Sequence, residues 1–260
     1  MEILTPRTLP AALELKAEHP EALPIQGGTD VMVALNFDRS RPEAVINLNE
    51  VSELRGWRRE NGSLRLGAGL TYAEAMGKEL AGLLPALAEA ARTVGSPQIR
   101  NRGTIGGNLA TASPAGDALP PLHVEAAEVE CVSVRGARRV PLGDFVTGVK
   151  RNALAPDELI AAVWVEPSGL PQTFMKVGPR NAMVIAVCSL AVSAGDELRA
   201  SFGSAGPRPV LVRAPRSEAA SFPDLVAAAS SPIDDVRGSA AYRRHALRVL
   251  AARALERTLA

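Results

Sequence analysis

The sequence predicts an α+β protein whose sheets are mixed or antiparallel. Segments with helical and strand periodicity do not alternate regularly along the 260 residues, as a doubly wound parallel sheet requires. Glycine (22) and proline (20) are plentiful, whereas aromatic residues make up only 3%, which indicates a chain rich in loops. Apolar residues make up 47% of the chain, enough for a sizeable core.

The first 167 residues are predicted to contain short helices and strands separated by glycine and proline. The first helix ends at Pro20, because proline cannot continue a helical turn. Thr29 or Asp30 caps the second helix, and Glu60-Asn61-Gly62-Ser63 is typical of a hairpin turn. In chain order, the predicted elements are helix Thr8–His19, strand Leu23–Ile25, helix Val31–Leu35, strand Ala44–Leu48, hairpin Trp57–Leu66, helices Thr71–Met76, Leu83–Val94 and Pro120–Ala127, hairpin Glu128–Pro141 and strand Leu159–Val165.

Pro167-Ser168-Gly169 interrupts the chain after the last of these strands and is the predicted domain boundary. We expect a first domain over residues 1–167, with lobes of about 1–50 and 51–167. The second domain covers residues 170–260.

The second domain begins with three β-rich segments, which are Gln172–Val177, Val184–Ser193 and Leu198–Gly203. A proline-rich stretch follows over Gly206–Pro215. The chain ends with a helix over Ala240–Leu259, where apolar residues at spacings of three and four predict one buried stripe. Arg243-Arg244 is interpreted as part of the solvated face of that helix.

The charge balance and the apolar pattern limit the possible partners. Lys and Arg total 29 against 28 Asp and Glu, so the basic excess of a nucleic-acid-binding surface is absent. No apolar run reaches the ~18 residues of a membrane span. Met1–Pro6 lacks the basic and apolar regions of a signal peptide, so we expect a cytoplasmic protein.

Two glycine-rich loops are the strongest candidates for a binding site. The first is Ile25–Met32 (IQGGTDVM), and the second is Gly103–Asp117 (GTIGGNLATASPAGD). A dinucleotide diphosphate needs several backbone N–H groups to converge on its oxygens, and glycine permits that close approach. Threonine hydroxyls such as that of Thr111 add hydrogen bonds, and Asp117 can accept them from ribityl or ribose hydroxyls. The two loops together predict a clamp on one dinucleotide.

Simpler interpretations of the glycines stay open. Gly27-Gly28 alone is typical of an ordinary turn. Gly67-Ala68-Gly69 follows a strand and precedes a helix, as in a Rossmann turn, but Tyr72 stands at the third glycine position, so we interpret it as a structural turn. The long second loop is harder to explain as a turn, because long irregular loops in compact domains are often functional.

No set of side chains predicts acid–base, nucleophilic or metal chemistry. The three histidines His19, His123 and His245 have no nucleophile or metal-ligand neighbours in the sequence. Cys131 and Cys188 are far apart and lie in apolar runs, as buried free thiols do. We therefore predict no catalytic residue and no metal site, and we expect a bound cofactor to supply the chemistry.

Six segments spread over nearly the whole chain resemble the FAD-binding subunits of molybdopterin hydroxylases, the family of the xanthine dehydrogenase and carbon monoxide dehydrogenase medium subunits. Their common order is more specific than any single glycine loop, and the middle segments are most similar to bacterial xanthine dehydrogenase FAD subunits. The segments are Pro24–Asp30, Ser96–Asn108, Ala112–Asp117, Gly148–Ile160, Phe174–Met183 and Asp235–Arg244. The resemblance implies a two-lobed FAD domain of the PCMH or vanillyl-alcohol-oxidase type. A small domain with a three-stranded antiparallel sheet and helices would follow it.

The resemblance also implies a set of FAD-binding residues. Val94 would lie beside the cofactor, Asp117 would hold polyol hydroxyls and Ile160 would pack against the isoalloxazine. Lys176 would lie near the ring, where a cation stabilises reduced, anionic flavin; without the resemblance, we would interpret it as a solvated strand residue. The full set is Ile25, Gln26, Gly27, Gly28, Thr29, Asp30, Val31, Met32, Val94, Thr104, Ile105, Gly106, Gly107, Asn108, Thr111, Asp117, Ile160 and Lys176.

The partners implied by the resemblance are a small subunit with [2Fe–2S] clusters and a large molybdopterin subunit. Electrons would pass from molybdenum through the clusters to FAD, and then to NAD or another acceptor, with xanthine or a related purine as substrate. Two other functions stay open on the sequence alone. A stand-alone flavin oxidase would need a catalytic base in this chain, and a non-enzymatic nucleotide-binding assembly module would carry no stoichiometric flavin.

Overall fold

Three main sheets follow one another along the chain, and a computed structural model describes them over residues 1–260. The N-terminal sheet is parallel and three-stranded, the central sheet is antiparallel and five-stranded, and the C-terminal sheet is antiparallel and four-stranded. This arrangement confirms the predicted α+β class. None of the helices combines the length and the apolar character needed to cross a membrane.

The N-terminal sheet has the strand order β1-β3-β2. Its elements are β1 (Glu2–Leu4), α1 (Leu9–Glu18), β2 (Leu23–Ile25), α2 (Val31–Asn36) and β3 (Ala44–Asn47). Parallel strands end at the same edge of a sheet, so the segments that follow β2 and β3 lie side by side. The first glycine loop therefore leaves the sheet next to the residues that follow Asn47.

The central sheet has the order β4-β5-β10-β6-β7, and a run of short helices covers one of its faces. Its elements are β4 (Trp57–Glu60), β5 (Ser63–Gly67), α3 (Tyr72–Ala75), α4 (Lys78–Leu83), α5 (Pro85–Thr93), α6 (Pro97–Arg100), α7 (Ile105–Thr111), α8 (Leu119–Val124), β6 (Glu128–Ser133), β7 (Gly136–Pro141), α9 (Leu142–Phe145), the ribbon strands β8 (Val146–Gly148) and β9 (Arg151–Asn152), and β10 (Leu159–Val165).

Every residue of β10 is buried, because both faces of the central sheet are covered. Leu159 and Ala161 pack with the N-terminal layer, whereas Ile160 and Val163 pack with the helices on the opposite face. A β-bulge between Ile160 and Ala162 makes this possible, since strict alternation would place Val163 on the same face as Ala161.

The C-terminal sheet is an antiparallel meander of β11 (Gln172–Val177), β12 (Cys188–Ala194), β13 (Glu197–Gly203) and β14 (Val210–Pro215), followed by α10 (Phe222–Ala228) and α11 (Ala240–Leu259). The predicted stripe of α11 is buried in the core under this sheet, with Leu247 fully enclosed. Cys188 also lies in this core as a free thiol, and Cys131 lies buried and free in the core of the central layer.

The sheet has four strands, one more than the resemblance implied. The additional strand β14 lies in the stretch that the sequence marked as proline-rich. Its prolines precede the strand or end it at Pro215, so Val210–Ala214 keep the amide groups that pair with β13. The helix α10 was not predicted either.

Two further helices were not predicted: α6 lies just before the long second loop, and α7 lies within it. Each spans at most two turns, which is too short for an apolar period to be visible in the sequence. Side-chain caps define them instead, because Ser96 accepts a hydrogen bond from the Ile99 amide and Thr104 accepts one from the Gly107 amide.

The prediction that Arg243 lies on a solvated helix face was wrong, because this residue is only 2% exposed. One of its guanidinium nitrogens donates to Ser204 O at 2.6 Å, and another contacts Asp235 Oδ1 at 2.5 Å. This charge is buried because the turn before α11 supplies its partner, a contact that residue type alone does not indicate. Arg244, its neighbour, is exposed as predicted.

Two carboxylates of the central layer hold the first strand of the C-terminal sheet. Glu125 accepts hydrogen bonds from the amide and hydroxyl of Ser168 and from Gln172 Nε2, each at 2.8 Å. Glu89 accepts bonds from Thr173 Oγ1 at 2.9 Å and from the Phe174 amide at 2.6 Å. Because both acids lie on or next to helices of the central layer, the two layers have a fixed relative position.

We expect the contact between the central and C-terminal layers to lose stability in acid through His123. Its Nδ1 lies 3.0 Å from Ser201 Oγ, and burial, with Arg213 and Arg208 nearby, lowers the pKa of His123 to about 4. Between this pKa and the ordinary histidine pKa, His123 binds a proton in the unfolded chain but stays neutral in the folded chain, so acid favours unfolding. The contribution of His123 to the free energy of unfolding is therefore complete above about pH 6.5. As the pH falls towards 4, up to about 3 kcal/mol of this free energy is lost.

Urea unfolding of wild type and His123→Asn between pH 6.5 and 4 measures this effect. The wild type should lose more unfolding free energy on acidification than the variant. His245→Asn, at an exposed position of α11, is the matched control and should follow the wild type. Equal pH slopes for wild type and His123→Asn would contradict the assignment.

Candidate functional site

A cavity of about 950 Å³ lies where the three layers meet. This volume is near the upper end of the ~300–1,000 Å³ range of small-molecule sites. Loops rather than strands supply nearly all of its lining. The main lining segments are Leu23–Val31, Val94–Ser96, Gly103-Thr104, Gly107-Asn108, Ala115–Asp117, Leu154–Pro156 and Met183–Ile185.

The first glycine loop presents backbone donors to this cavity. The amides from Gly27 to Asp30 donate no hydrogen bond within the chain, although the carbonyls of Gly28 and Asp30 accept the first bonds of α2. Gly28 has φ +75°, a conformation that glycine adopts without strain. Successive unpaired amides in such a turn form a concave anion-binding nest.

Gly27 is required for a different reason, which is the close approach of two loops. A Cβ at this position would lie 2.1 Å from the carbonyl oxygen of Arg102. The first loop and the segment before α7 are therefore in backbone contact. Thr111 Oγ1 adds a hydrogen bond to Asp30 Oδ2 at 3.1 Å between the same two regions.

The first amides of α7, in the second glycine loop, already have hydrogen-bond acceptors within the chain. The amides of Ile105 and Gly106 donate to Leu70 O at 2.9 Å and to Ala68 O at 2.8 Å, and that of Gly107 donates to its cap, Thr104. A Cβ on Gly106 would lie 2.6 Å from Ala68. Gly106 therefore serves close packing against the turn that follows β5, and the cavity receives side chains from α7 instead of its first amides.

The Gly67-Ala68-Gly69 turn agrees with its interpretation as structural. A Cβ on Gly67 would lie 2.3 Å from Leu54 O, and one on Gly69 would lie 2.1 Å from the side chain of Gln26. Gly67 therefore allows the turn to pack against Leu54, and Gly69 allows it to pack against Gln26 of the first loop.

An ion pair between Asp117 and Lys176 closes one end of the cavity. Lys176 Nζ lies 2.5 Å from Asp117 Oδ2, and the two side chains are 5% and 8% exposed. Lys176 also donates to Thr93 O at 3.3 Å. Burial raises the pKa of Asp117, and the Lys176 ammonium opposes that rise.

Acceptors and one hydroxyl of this end remain available for a ligand. Asp117 Oδ1 and Asn108 Oδ1 are buried and have no hydrogen-bond partner within the chain. Tyr72 lines the cavity beside them, and burial, with Asp117 and Asp30 nearby, raises its pKa well above the ordinary value. Its hydroxyl is therefore protonated at all physiological pH values.

Two charged side chains of the lining, Lys16 and Glu158, form hydrogen bonds to backbone turns. Lys16 donates to Pro20 O at 2.6 Å and to Ala22 O at 2.8 Å, and burial lowers its pKa. Glu158 accepts from the Ala155 amide at 2.8 Å and pairs with Arg138, whose hydrogen bonds lower the pKa of Glu158. Both therefore act on the shape of the lining.

The structure brings most of the predicted site residues together. The cavity lining contains Ile25, Gln26, Gly27, Gly28, Thr29, Asp30, Val31, Val94, Thr104, Gly107, Asn108, Thr111 and Asp117. It does not contain Met32, Ile105, Gly106, Ile160 or Lys176. Of these, Ile105 and Ile160 belong to the core of the central layer, while Lys176 reaches the site through Asp117.

Several lining residues escaped the sequence analysis. Tyr72 was noted only for occupying a glycine position, and Lys16 belongs to a helix with no visible functional pattern. Met183–Ile185 belong to the segment between β11 and β12. The exposure of the large apolar side chains of Met183 and Ile185 is the feature that indicates a binding role. The layer packing that places these residues at one cavity is not visible in the sequence.

Comparison with known proteins identifies the family. Residues 1–167 match the family described as the FAD binding domain in molybdopterin dehydrogenase. The xanthine dehydrogenase FAD-binding subunit of Escherichia coli O157:H7 is 31% identical over 274 aligned residues, which cover 97% of this chain and 94% of that protein. The nicotinate dehydrogenase FAD-subunit of Eubacterium barkeri is 36% identical over 72% of this chain and 66% of its own length.

A solved structure agrees with these relatives. A chain of the Cu,Mo-CO dehydrogenase in its cyanide-inactivated form superimposes with a TM-score of 0.91 at 25% identity, covering 99% of this chain and 97% of that chain. The resemblance inferred from the six sequence segments is therefore confirmed. This chain belongs to the FAD-binding subunits of the molybdopterin dehydrogenase family, and it is an oxidoreductase component with FAD as its cofactor.

Proposed function

We propose that this chain is the electron-transfer subunit of a molybdenum hydroxylase that oxidises xanthine or a related purine. In this function, it receives electrons from the [2Fe–2S] clusters of a small subunit and passes them through FAD to NAD or another acceptor. A large subunit with molybdopterin holds the substrate. The observation that carries the proposal is the nest of unpaired amides from Gly27 to Asp30 at a dinucleotide-sized cavity.

Backbone amides, polar side chains and apolar side chains of the lining can each bind a different part of FAD. Amides of the first loop supply donors for the diphosphate. Asp117 Oδ1 and Asn108 Oδ1 supply buried acceptors for hydroxyls of the ribityl or ribose groups. Val94 and Met183–Ile185 supply apolar surface on which a ring system can pack. Bound FAD supplies a centre that exchanges electrons, which no side chain of this chain does.

Lys176 has a different place in this proposal from the one that the resemblance implied. It acts on the cofactor site through Asp117, because its ammonium is held by that carboxylate and by Thr93 O. The pair lies between the central layer and β11, so the C-terminal layer takes part in binding. We propose accordingly that residues 1–167 form the FAD domain and that residues 170–260 form a second domain which completes its site.

The first test is identification of the cofactor in the purified chain, alone and after co-expression with its iron–sulfur and molybdenum subunits. We expect stoichiometric FAD from absorbance and from mass spectrometry of the released cofactor. Assays of the co-expressed assembly with xanthine and nicotinate then compare the two substrate classes of the relatives. Absence of FAD from both preparations would overturn the proposal, and turnover of nicotinate alone would overturn the purine assignment.

Gly27→Ala should abolish most FAD binding. Its methyl group would lie 2.1 Å from Arg102 O, so the two loops must separate and the amide nest must open. We expect the flavin-to-protein ratio after gel filtration to fall at least about tenfold. Gly82→Ala is the matched control, because a Cβ there meets nothing within 4 Å. A Gly27→Ala chain with full flavin would contradict the packing argument.

Lys176→Met should make FAD binding more sensitive to acid. Loss of the ammonium removes the charge that opposes burial, so the pKa of Asp117 rises further. A protonated Asp117 is a weaker acceptor, and FAD affinity should therefore decline at a higher pH than in the wild type as the pH falls. Titrations of FAD affinity against pH measure this shift. Lys78→Met, at an exposed position of α4, is the control. Superimposable profiles of wild type and Lys176→Met would contradict the role of the ion pair.

A further inference from the structure

The charged side chains that line the cavity do not suit a diphosphate. Lys16 is the one lining cation, and its ammonium is held by two backbone carbonyls. The lining acids outnumber it and include Asp30, next to the amide nest. Two phosphate charges therefore need compensation from backbone dipoles and from a cation outside the lining.

Arg102 is the cation that contacts the first loop from outside the lining. Its Nη2 atom donates to Gln26 O at 3.3 Å and to Asn49 Oδ1 at 3.1 Å. Asn49 is itself oriented, because its Nδ2 donates to Asn47 Oδ1 at 2.7 Å and leaves Oδ1 for the guanidinium. The segment that follows β3 thus binds Arg102, and Arg102 binds the carbonyl that precedes Gly27.

The geometry of a trans peptide converts this contact into an orientation of the amide. The C=O of Gln26 and the N–H of Gly27 belong to one planar unit and point in opposite directions. Since the carbonyl faces Arg102, the N–H of Gly27 points away from the guanidinium. Gly27 lines the cavity, and its amide has no acceptor in the chain. A hydrogen bond from a cation also polarises the peptide and strengthens its N–H as a donor.

We propose that Arg102 is a positioning residue for the diphosphate of the cofactor. It fixes the Gln26–Gly27 peptide so that the first amide of the nest faces the phosphate oxygens, and it adds a positive charge behind the loop. This role rests on the proposed FAD-binding function. Arg102 does not touch the ligand, and it acts through the loop backbone.

The test compares Arg102→Gln and Arg102→Lys with wild type, using the full chain after removal of its flavin, or the co-expressed assembly where the cofactor is retained only there. Fluorescence titrations give affinities for FAD, for ADP as a diphosphate without flavin, and for riboflavin as a flavin without phosphate. We expect Arg102→Gln to raise the dissociation constants of FAD and ADP about tenfold. Riboflavin affinity should be unchanged, and Arg102→Lys should restore part of the loss.

The dependence of FAD affinity on ionic strength distinguishes an electrostatic role of Arg102 from a purely structural one. Added salt should weaken FAD binding less in Arg102→Gln than in the wild type, because one positive charge near the diphosphate is gone and no longer screened. Arg55→Gln is the matched control. Arg55 is another exposed arginine that donates to the backbone of Asn49, and it makes no hydrogen bond to the first loop. It should bind all three ligands as the wild type does.

Two outcomes would overturn the role of Arg102. One is FAD affinity of Arg102→Gln within about twofold of wild type. The other is an equal loss for riboflavin, which would indicate general damage to the loop. A wild type that binds no FAD as chain or assembly would instead defeat the proposed function, so the two failures are distinguishable.

Discussion

The site depends on one backbone contact, the approach of Gly27 to the carbonyl of Arg102. This contact joins the edge of the parallel N-terminal sheet to the segment that enters α7 in the central layer. No side chain fits between the two backbones, so the first loop is restricted to one conformation. In that conformation its amides form neither sheet nor helix hydrogen bonds. Hydrogen bonds from Arg102 to Gln26 O and from Thr111 to Asp30 then hold the loop on both sides of the glycines.

On the other side of the cavity, carboxylates hold the C-terminal layer in place. Glu89 and Glu125 anchor β11, and the Asp117–Lys176 pair joins that strand to the end of the second loop. Each acid accepts charged or multiple hydrogen bonds, which offset the cost of burying it. The C-terminal layer is therefore attached at several points around the cavity. This attachment explains how a segment far along the chain, Met183–Ile185, lines a cavity built mainly by the first 167 residues.

Features of this chain that depend on local pattern could be predicted from the sequence, whereas those that depend on packing could not. The glycine loops and the stripe of α11 are visible because glycine pairs and leucine spacing are local signals. The position of Ile160 in the core is not visible, because it depends on a β-bulge and on which layer covers each face of β10. Gly106 resembles a phosphate-binding glycine in sequence, yet its close neighbour is Ala68. The same glycine signal is thus produced by close packing at Gly106 and by a left-handed backbone conformation at Gly28.

In the proposed function, the backbone donors bind the cofactor and not the substrate, and relatives of this chain are named for different substrates, among them xanthine and nicotinate dehydrogenases. The amides of the nest are supplied by chain geometry, which depends on glycines and on loop contact, and not on the chemistry of the surrounding side chains. The sequence of the loop is constrained at the few positions where a Cβ cannot fit. At Gly27, the backbone carbonyl of Arg102 leaves no room for a side chain.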